Sequence, residues 1–363
     1  MENSTIDLAV EYGMDVSRTL IPNTVIFSVV LFIGVICNLF VLIVYSSMMR
    51  KDQMESRYFI PILSLYDLLV CLVSGTYFIL DTQLWIAFES DVLCKIILFF
   101  VGHTMMTSDS FLLAIAVQRY VKICRPLGKQ MTLFWRRLTV FLVIFLNFLY
   151  SIPTAVVSGV KDLELVYKGV NISGPSCFTG SQRYPLFQLV YYSILIFIVI
   201  FNIVITAGLY TPIACVIYKK FHKKGRKRNE NEVDSNSKET EFTNEGHVSD
   251  EGGKIHNKIS RGTIKKSTKR RITPEANFNL MFFTIITVYV LSYVPTCVML
   301  VVVSLDDMFW INLPINEFGV YNWLIRSYAF NHAINPFIYA YFDIGFRHSA
   351  VSIFKGKKTF YLK

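Results

Sequence analysis

Apolar residues in this chain gather into seven long runs, at about 24–48, 58–81, 93–123, 138–157, 185–217, 277–304 and 315–341. Each run is near or above the roughly 20 residues that a helix needs to cross a hydrocarbon layer about 30 Å thick. Inside them the pattern does not alternate. Val140 to Leu149 is apolar at consecutive positions apart from Asn147, which excludes the in-and-out period of a barrel strand. With no water to satisfy the backbone, helices remain. The pattern predicts an all-α membrane protein, a seven-transmembrane helix bundle. Its layout is an extracellular tail over 1–23, helices one to five over 24–218, a long cytoplasmic loop over 219–273, helices six and seven over 274–341, and a short segment over 342–363.

Composition agrees. Of 363 residues, 53% are apolar and 17% charged, against roughly 25% charged in soluble domains. With 18 Gly, 11 Pro and 7 Cys, collagenous, disulfide-scaffold and wholly disordered classes are excluded as well.

The net charge of +10 would suit a nucleic-acid binder if the basic residues were spread evenly, but they are not. Lys and Arg number 3 between the first two runs, 6 from Arg119 to Arg137, 16 from Lys219 to Arg271 and 5 from Arg347 onward, so 30 of 36 fall on one face. That face is cytoplasmic by the positive-inside rule. The opposite face carries Glu2, Asp7, Glu11, Asp15, Asp306 and Asp307. The charge therefore reports topology, with no nucleic acid as partner. Two sequons, Asn3-Ser4-Thr5 and Asn171-Ile172-Ser173, fall on the expected outer face and make Asn3 and Asn171 candidate glycosylation sites. Residues 1–20 have neither a basic start nor an apolar core, so the first run is expected to act as its own insertion signal.

The loop over 219–273 opens and closes with basic clusters, Lys219 to Arg228 and Lys265 to Arg271, around a Ser/Asn/Glu-rich middle. The middle is expected to be disordered, since it has too little apolar surface to bury. The basic ends suit anionic lipid headgroups or an acidic partner. Ser235, Ser237, Thr240 and Ser249 are candidate phosphorylation sites, and the loop a candidate contact for kinases and arrestin.

Polar residues inside the runs form a set that resembles the rhodopsin-type (class A) G-protein-coupled receptors. Asn38 follows Gly34-Val35-Ile36-Cys37, Asp67 sits in Leu63-Ser64-Leu65-Tyr66-Asp67, Gln118-Arg119-Tyr120 is similar to the acidic-Arg-Tyr signature, Pro295 ends Ser292-Tyr293-Val294-Pro295, and Asn335-Pro336-Phe337-Ile338-Tyr339 matches Asn-Pro-x-x-Tyr in full. The motifs occur in order over about 24–355. The resemblance implies a disulfide between Cys94 and Cys177, which their placement in an oxidising compartment leaves open by itself. It implies a sodium pocket of Asp67, Ser108, Asn331 and Asn335. His332, where the family often has a small hydroxyl residue, sets against this a sodium-free network of water or a proton-linked partner for Asp67. It implies a latch between Arg119 and Glu275, weakened here because Gln118 replaces the acid beside Arg119. Arg119, Tyr120, Tyr210 and Tyr339 would face the G protein, Pro295 and Pro336 would be hinges, and Phe342 to Phe354 would form an amphipathic eighth helix without a palmitoyl anchor, since no cysteine follows Cys297.

Departures from the family pattern carry their own expectations. Asp109, Asn202 and Tyr289 stand where the family has an apolar connector, and Asn202 and Tyr289 are expected either to hydrogen-bond the aspartate or to let it stay protonated. Tyr293 replaces a tryptophan, and the fourth run keeps only Pro153 as a landmark. Val101 occupies the position of the amine-binding aspartate, which argues against a biogenic amine held that way. Ala329 occupies that of the retinal lysine, so no retinal cofactor is expected. Tyr77, Val101, Met105, Tyr191, Tyr293, Cys297, Tyr321, Arg326 and Tyr328 form a candidate pocket, mostly apolar and aromatic, in which Arg326 would suit a carboxylate or a peptide backbone. Leu163 to Val170 would be a short hairpin at its mouth.

The expected function is a plasma-membrane receptor that couples an extracellular ligand, a peptide rather than an amine, to a heterotrimeric G protein. The rivals are a transporter or channel and a non-signalling scaffold. An enzyme is not expected, because no nucleophile–base pairing or metal-ligand spacing stands out.

Overall fold

The computed structural model describes residues 2–47, 57–178, 185–241, 274–306 and 308–355. Five long helices precede the basic loop: α1 (Glu2–Ser47), α2 (Ile60–Gln83), α3 (Asp91–Cys124), α4 (Leu133–Val157) and α5 (Pro185–Glu241), with strands β1 (Gly159–Tyr167) and β2 (Val170–Phe178) between α4 and α5. After it come α6 (Pro274–Leu305), α7 (Phe318–Arg326), α8 (Ala329–Phe342) and α9 (Ile344–Phe354), with two short turns at Phe309–Asn312 and Ile315–Glu317. Among the described residues six helices are long and apolar enough to cross a membrane. The seventh crossing is built from α7 and α8 together.

The break between α7 and α8, at Ser327 and Tyr328, was not foreseen from the sequence. Backbone groups freed in a bilayer must find partners inside the protein, and α6 supplies them. The Tyr328 amide donates to Thr296 Oγ1 at 3.3 Å, and Ser327 Oγ donates to the Ser292 carbonyl at 2.7 Å. By contrast, α6 and α8 run without interruption through Pro295 and Pro336.

At 46 residues, α1 is about 70 Å long at 1.5 Å per residue, more than twice what the bilayer requires. The segment 1–23, read as a tail, is continuous with the first crossing. Its Ala9, Tyr12, Val16 and Leu20 recur at helical spacing and are buried against Leu163, Leu165 and Ile172 of the hairpin and against Trp85 and Phe318. Polar contacts lock the same face: Tyr167 donates to Asp15 at 2.6 Å and Lys168 pairs with Glu11 at 2.5 Å. The hairpin is longer than the sequence suggested. β1 and β2 pair antiparallel from Gly159 opposite Phe178 to Tyr167 opposite Val170. Lys168 and Gly169 both have positive φ, 51° and 79°, the two-residue turn that matches strand twist. A disulfide joins Cys177 of β2 to Cys94 of α3, which fixes the hairpin over the bundle.

On the opposite side α5 continues as helix to Glu241, through part of the loop expected to be disordered; residues 242–273 lie outside the described residues, and Ser249 with them. The amphipathic helix α9 is seated by Asp343, a residue the sequence did not single out. Its carboxylate is 1% exposed. It accepts two bonds from Arg57, at 2.7 and 2.8 Å, one from the Tyr45 hydroxyl at 3.0 Å, and caps α9 through the Phe346 amide at 3.2 Å. Phe346 then stacks on Tyr45. Burial alone would raise the Asp343 pKa, but the Arg57 guanidinium and the amide and phenol donors more than offset it and hold the group below its ordinary value.

A carboxyl whose folded-state pKa is depressed contributes stability above its unfolded value and loses it as pH falls through the lowered one. Asp343→Ala removes the acceptor for Arg57, Tyr45 and the helix cap together, and is expected to destabilise the protein by about 3 kcal/mol. Thermal unfolding of the purified variant, followed by tryptophan fluorescence, checks this; an unchanged midpoint would show that apolar packing alone seats α9.

Candidate functional site

Helices α2, α3, α6 and α8 bring their polar residues to one point in the middle of the bundle. Asp67 is fully buried, and three donors reach it. Ser108 Oγ lies 2.6 Å and His332 Nδ1 2.8 Å from Oδ1, and Asn335 Nδ2 lies 2.8 Å from Oδ2. A carboxylate can only accept, so the Nδ1 facing it carries the proton. The other ring nitrogen, Nε2, is 3.3 Å from the Tyr293 hydroxyl. Asn38 of α1 completes the arrangement by donating to the His332 carbonyl at 2.9 Å. The signals for these residues were the motif positions themselves.

This geometry does not fit the sodium ion that the resemblance implied. Hard cations are held by oxygens, yet both Asp67 oxygens are engaged by protein donors and one of these is an imidazole nitrogen. No group of three or more His, Cys, Asp or Glu side chains suited to a metal occurs among the described residues. Among the described residues neither amide atom of the buried Asn331 has a partner, nor does Asn335 Oδ1. Such atoms are served by internal water, so the geometry favours the water network over the ion.

The expected connector is only partly formed. Tyr289 donates to Asn202 Oδ1 at 3.4 Å and Thr206 to the same oxygen at 3.3 Å. Asp109 does not join them. Among the described residues neither of its oxygens meets a donor in ordinary hydrogen-bond geometry; the Tyr293 hydroxyl is the donor that faces it, and His332 and Asp67 are its charged neighbours. Asp109 of α3 faces Tyr293 of α6 and His332 of α8, where the sequence reading expected Asn202 of α5 and Tyr289 of α6.

Above this cluster lies a cavity of about 310 Å³ beneath the hairpin. Tyr77, Val101, Met105, Tyr191, Tyr293, Cys297, Arg326 and Tyr328, all candidates from the sequence, line it, and Asp109 does too. Tyr321 is not among the lining residues; its ring packs edge-on against Phe309 at 5.2 Å between centroids. Arg326 needs a second correction. It is not a free cation, because its guanidinium is ion-paired with Asp81, bonded to Thr82 Oγ1 at 3.4 Å and laid over the Phe78 ring. Asp81 lies two residues before the end of α2, directly after the apolar Tyr77 to Leu80, and that acid was the signal that sequence reasoning passed over. Tyr191 reaches α4, bonding Thr154 Oγ1 at 2.6 Å and donating to the Tyr150 carbonyl.

Toward the inner face, Arg119 is buried and lies over the Phe282 ring of α6, 4.4 Å from its centroid. Tyr210 and Tyr339 are buried nearby in the same apolar cluster, with Tyr120 at its edge. Glu275 falls in the first turn of α6, but its side chain lies outside the described residues. Asn171 is exposed on β2, while the side chain of Asn3 is outside the described residues.

Because the imidazole stands where a cation would be held, thermal stability is expected to be the same in sodium chloride and in choline chloride at equal ionic strength. His332→Ser, which opens the site to oxygen ligands, is expected to gain a sodium-dependent rise in unfolding temperature. Sodium dependence in the unmodified protein would overturn this reading.

Comparison with known proteins agrees with the arrangement. Residues 15–339 match the profile of the family described as 7 transmembrane receptor (rhodopsin family). A similar curated protein is cephalotocin receptor 1 of Octopus vulgaris, 31% identical over 130 residues, which is 35% of this chain. That match spans 32% of the octopus protein's length. With the bundle, the disulfide-held hairpin and the motif residues in their places, the chain belongs to the rhodopsin family of seven-transmembrane receptors.

Proposed function

We propose that the protein is a plasma-membrane receptor, its N-terminus outside, that converts binding of an extracellular peptide into activation of a heterotrimeric G protein. The observation that carries this reading is the separation of two features by a closed middle. A cavity opens beneath the hairpin on one side, and Arg119, Tyr210 and Tyr339 lie on the other. Between them Asp67, Ser108, His332, Asn335 and Tyr293 close on one another. A transporter or channel needs polar groups continuous across the bilayer, and the buried apolar rings around Arg119 do not supply them. The partial match to a cephalotocin receptor supports a peptide as ligand.

The mechanism is a shift of population. A ligand that prefers one packing of α6 against α3 and α8 raises the share of that packing in proportion to its differential affinity. The polar cluster is the element with two arrangements, because its members exchange hydrogen-bond partners within one contact distance: Ser108 Oγ lies 2.6 Å from Asp67 and 3.4 Å from His332. Arg119 and Glu275 form the inner latch, and the amide at Gln118 holds Arg119 less firmly than an acid would.

Expression in cells carrying a panel of G-protein sensors, first without ligand and then with pools of neuropeptides, tests the reading. Nucleotide exchange on at least one G protein is expected; ion flux without exchange would replace the receptor by a transporter. Ligand-independent signalling is expected to fall severalfold in Gln118→Glu and to rise in Glu275→Gln. Equal basal activity in all three proteins would remove the latch.

A further inference from the structure

Among the described residues three charged side chains line the cavity: Asp81, Asp109 and Arg326. Asp81 and Arg326 are paired with each other, so their charges cancel. Asp109 is what remains. It is 3% exposed, and neither carboxylate oxygen meets a donor in ordinary hydrogen-bond geometry among the described residues. The Tyr293 phenol faces it without closing a hydrogen bond of ordinary geometry and also reaches His332 Nε2 at 3.3 Å, and the Tyr289 phenol is turned to Asn202. A buried carboxylate without a well-placed donor is among the costliest groups a protein can carry. It therefore gains more than any other group in the cavity from a ligand that brings donors to it.

We infer that Asp109 anchors a positively charged end of the ligand, a guanidinium or an ammonium, inserted to the floor of the cavity. The inference rests on the receptor reading above and specifies its ligand class. The cavity reaches the required depth, since Val101 and Asp109 both line it and eight residues of helix separate them by about 12 Å. The walls suit a cation as well. Tyr77, Tyr191, Tyr293 and Tyr328 present aromatic surface around the shaft, and ring faces attract cationic groups. The ligand's basic group sits two helical turns below the α3 position, Val101, where an amine was argued against. The site also has the opposite polarity to the one that a free Arg326 would have given. A carboxylate-ended ligand finds no unpaired cation among the described lining residues.

The test uses the purified full chain in lipid nanodiscs and three probes of one shape: 3-phenylpropylguanidinium, the neutral 3-phenylpropylurea, and 4-phenylbutanoate. Binding is read as the concentration dependence of the unfolding temperature. The guanidinium is expected to bind about tenfold more tightly than the urea, the difference a charge-assisted bond makes, and the butanoate least well. Asp109→Asn should abolish the preference for the cation while Asp109→Glu retains it. Removing an unpaired buried charge should not lower the stability of the Asn variant, and the preference among probes in the unmodified protein needs no variant at all. Equal binding of guanidinium and urea, no binding of the guanidinium, a preference for the butanoate, or a cation preference that survives in Asp109→Asn would each overturn the inference. Failure of the receptor reading is seen separately. Cation binding with no G-protein response removes that reading alone, and G-protein activation by ligands lacking a basic group removes the anchor alone.

Discussion

A carboxylate cannot stand alone in a hydrocarbon layer, and the interior of this protein is organised around that constraint. Asp67 sits at the centre of the bundle with no exposure to solvent. Satisfying it takes one donor from α3 and two from α8, so the three helices are tied at a single point by groups that have no other way to be solvated. His332 passes the tie on to Tyr293 of α6, and Asn38 of α1 holds the backbone of the same histidine. Loss of one partner would leave the others buried and unpaired, which is why a few atoms govern how five helices sit relative to one another.

The same constraint recurs at both ends of the bundle. Near the outer end Asp81 and Arg326 neutralise each other across α2 and α7, and toward the inner end Asp343 draws in Arg57, Tyr45 and the start of α9. These pairs are structural in consequence: each joins segments far apart in the chain and determines where a helix begins or ends. Asp109 is the exception. It lies between the cavity and the central cluster with no donor in ordinary hydrogen-bond geometry among the described residues, and exceptions to satisfied burial in a native protein call for an explanation. A group that an incoming ligand completes is one, and it places the ligand's end against Tyr293, the residue that touches His332.

The hairpin end of the bundle is capped by packed elements that frame the mouth of the cavity. The extended part of α1, the hairpin and the turns before α7 share one apolar cluster around Trp85 and Phe318, and the Cys94 to Cys177 bridge ties the hairpin to α3. At the other end of the bundle α5 extends as helix to Glu241, beyond its apolar stretch Leu186–Val216, and α9 packs against the ends of α1 and α8.

The sequence by itself determined the membrane class, the seven crossings, which face is basic, and the pairing of Cys94 with Cys177 once the family was seen; of the polar residues it grouped, Asp67, Ser108, Asn335 and His332 meet, Asn331 does not bond them, and Tyr293 joins from the group it assigned to the ligand pocket. Those properties rest on the length of apolar runs, on charge counts and on motif residues, all of which are local. Only the tertiary structure decided which charge answers which. Arg326 reads in sequence as a free cation and is cancelled by an aspartate 245 residues away; Asp109 reads as part of a trio with Asn202 and Tyr289 and is left outside it; His332 reads as a rival to sodium and turns out to fill the place. The break at Ser327 likewise depends on Thr296 of a neighbouring helix. A residue's charge is written in the chain, but the energy of that charge in a low-dielectric interior is set by distances of a few ångströms to groups remote in sequence, and only folding brings those groups together.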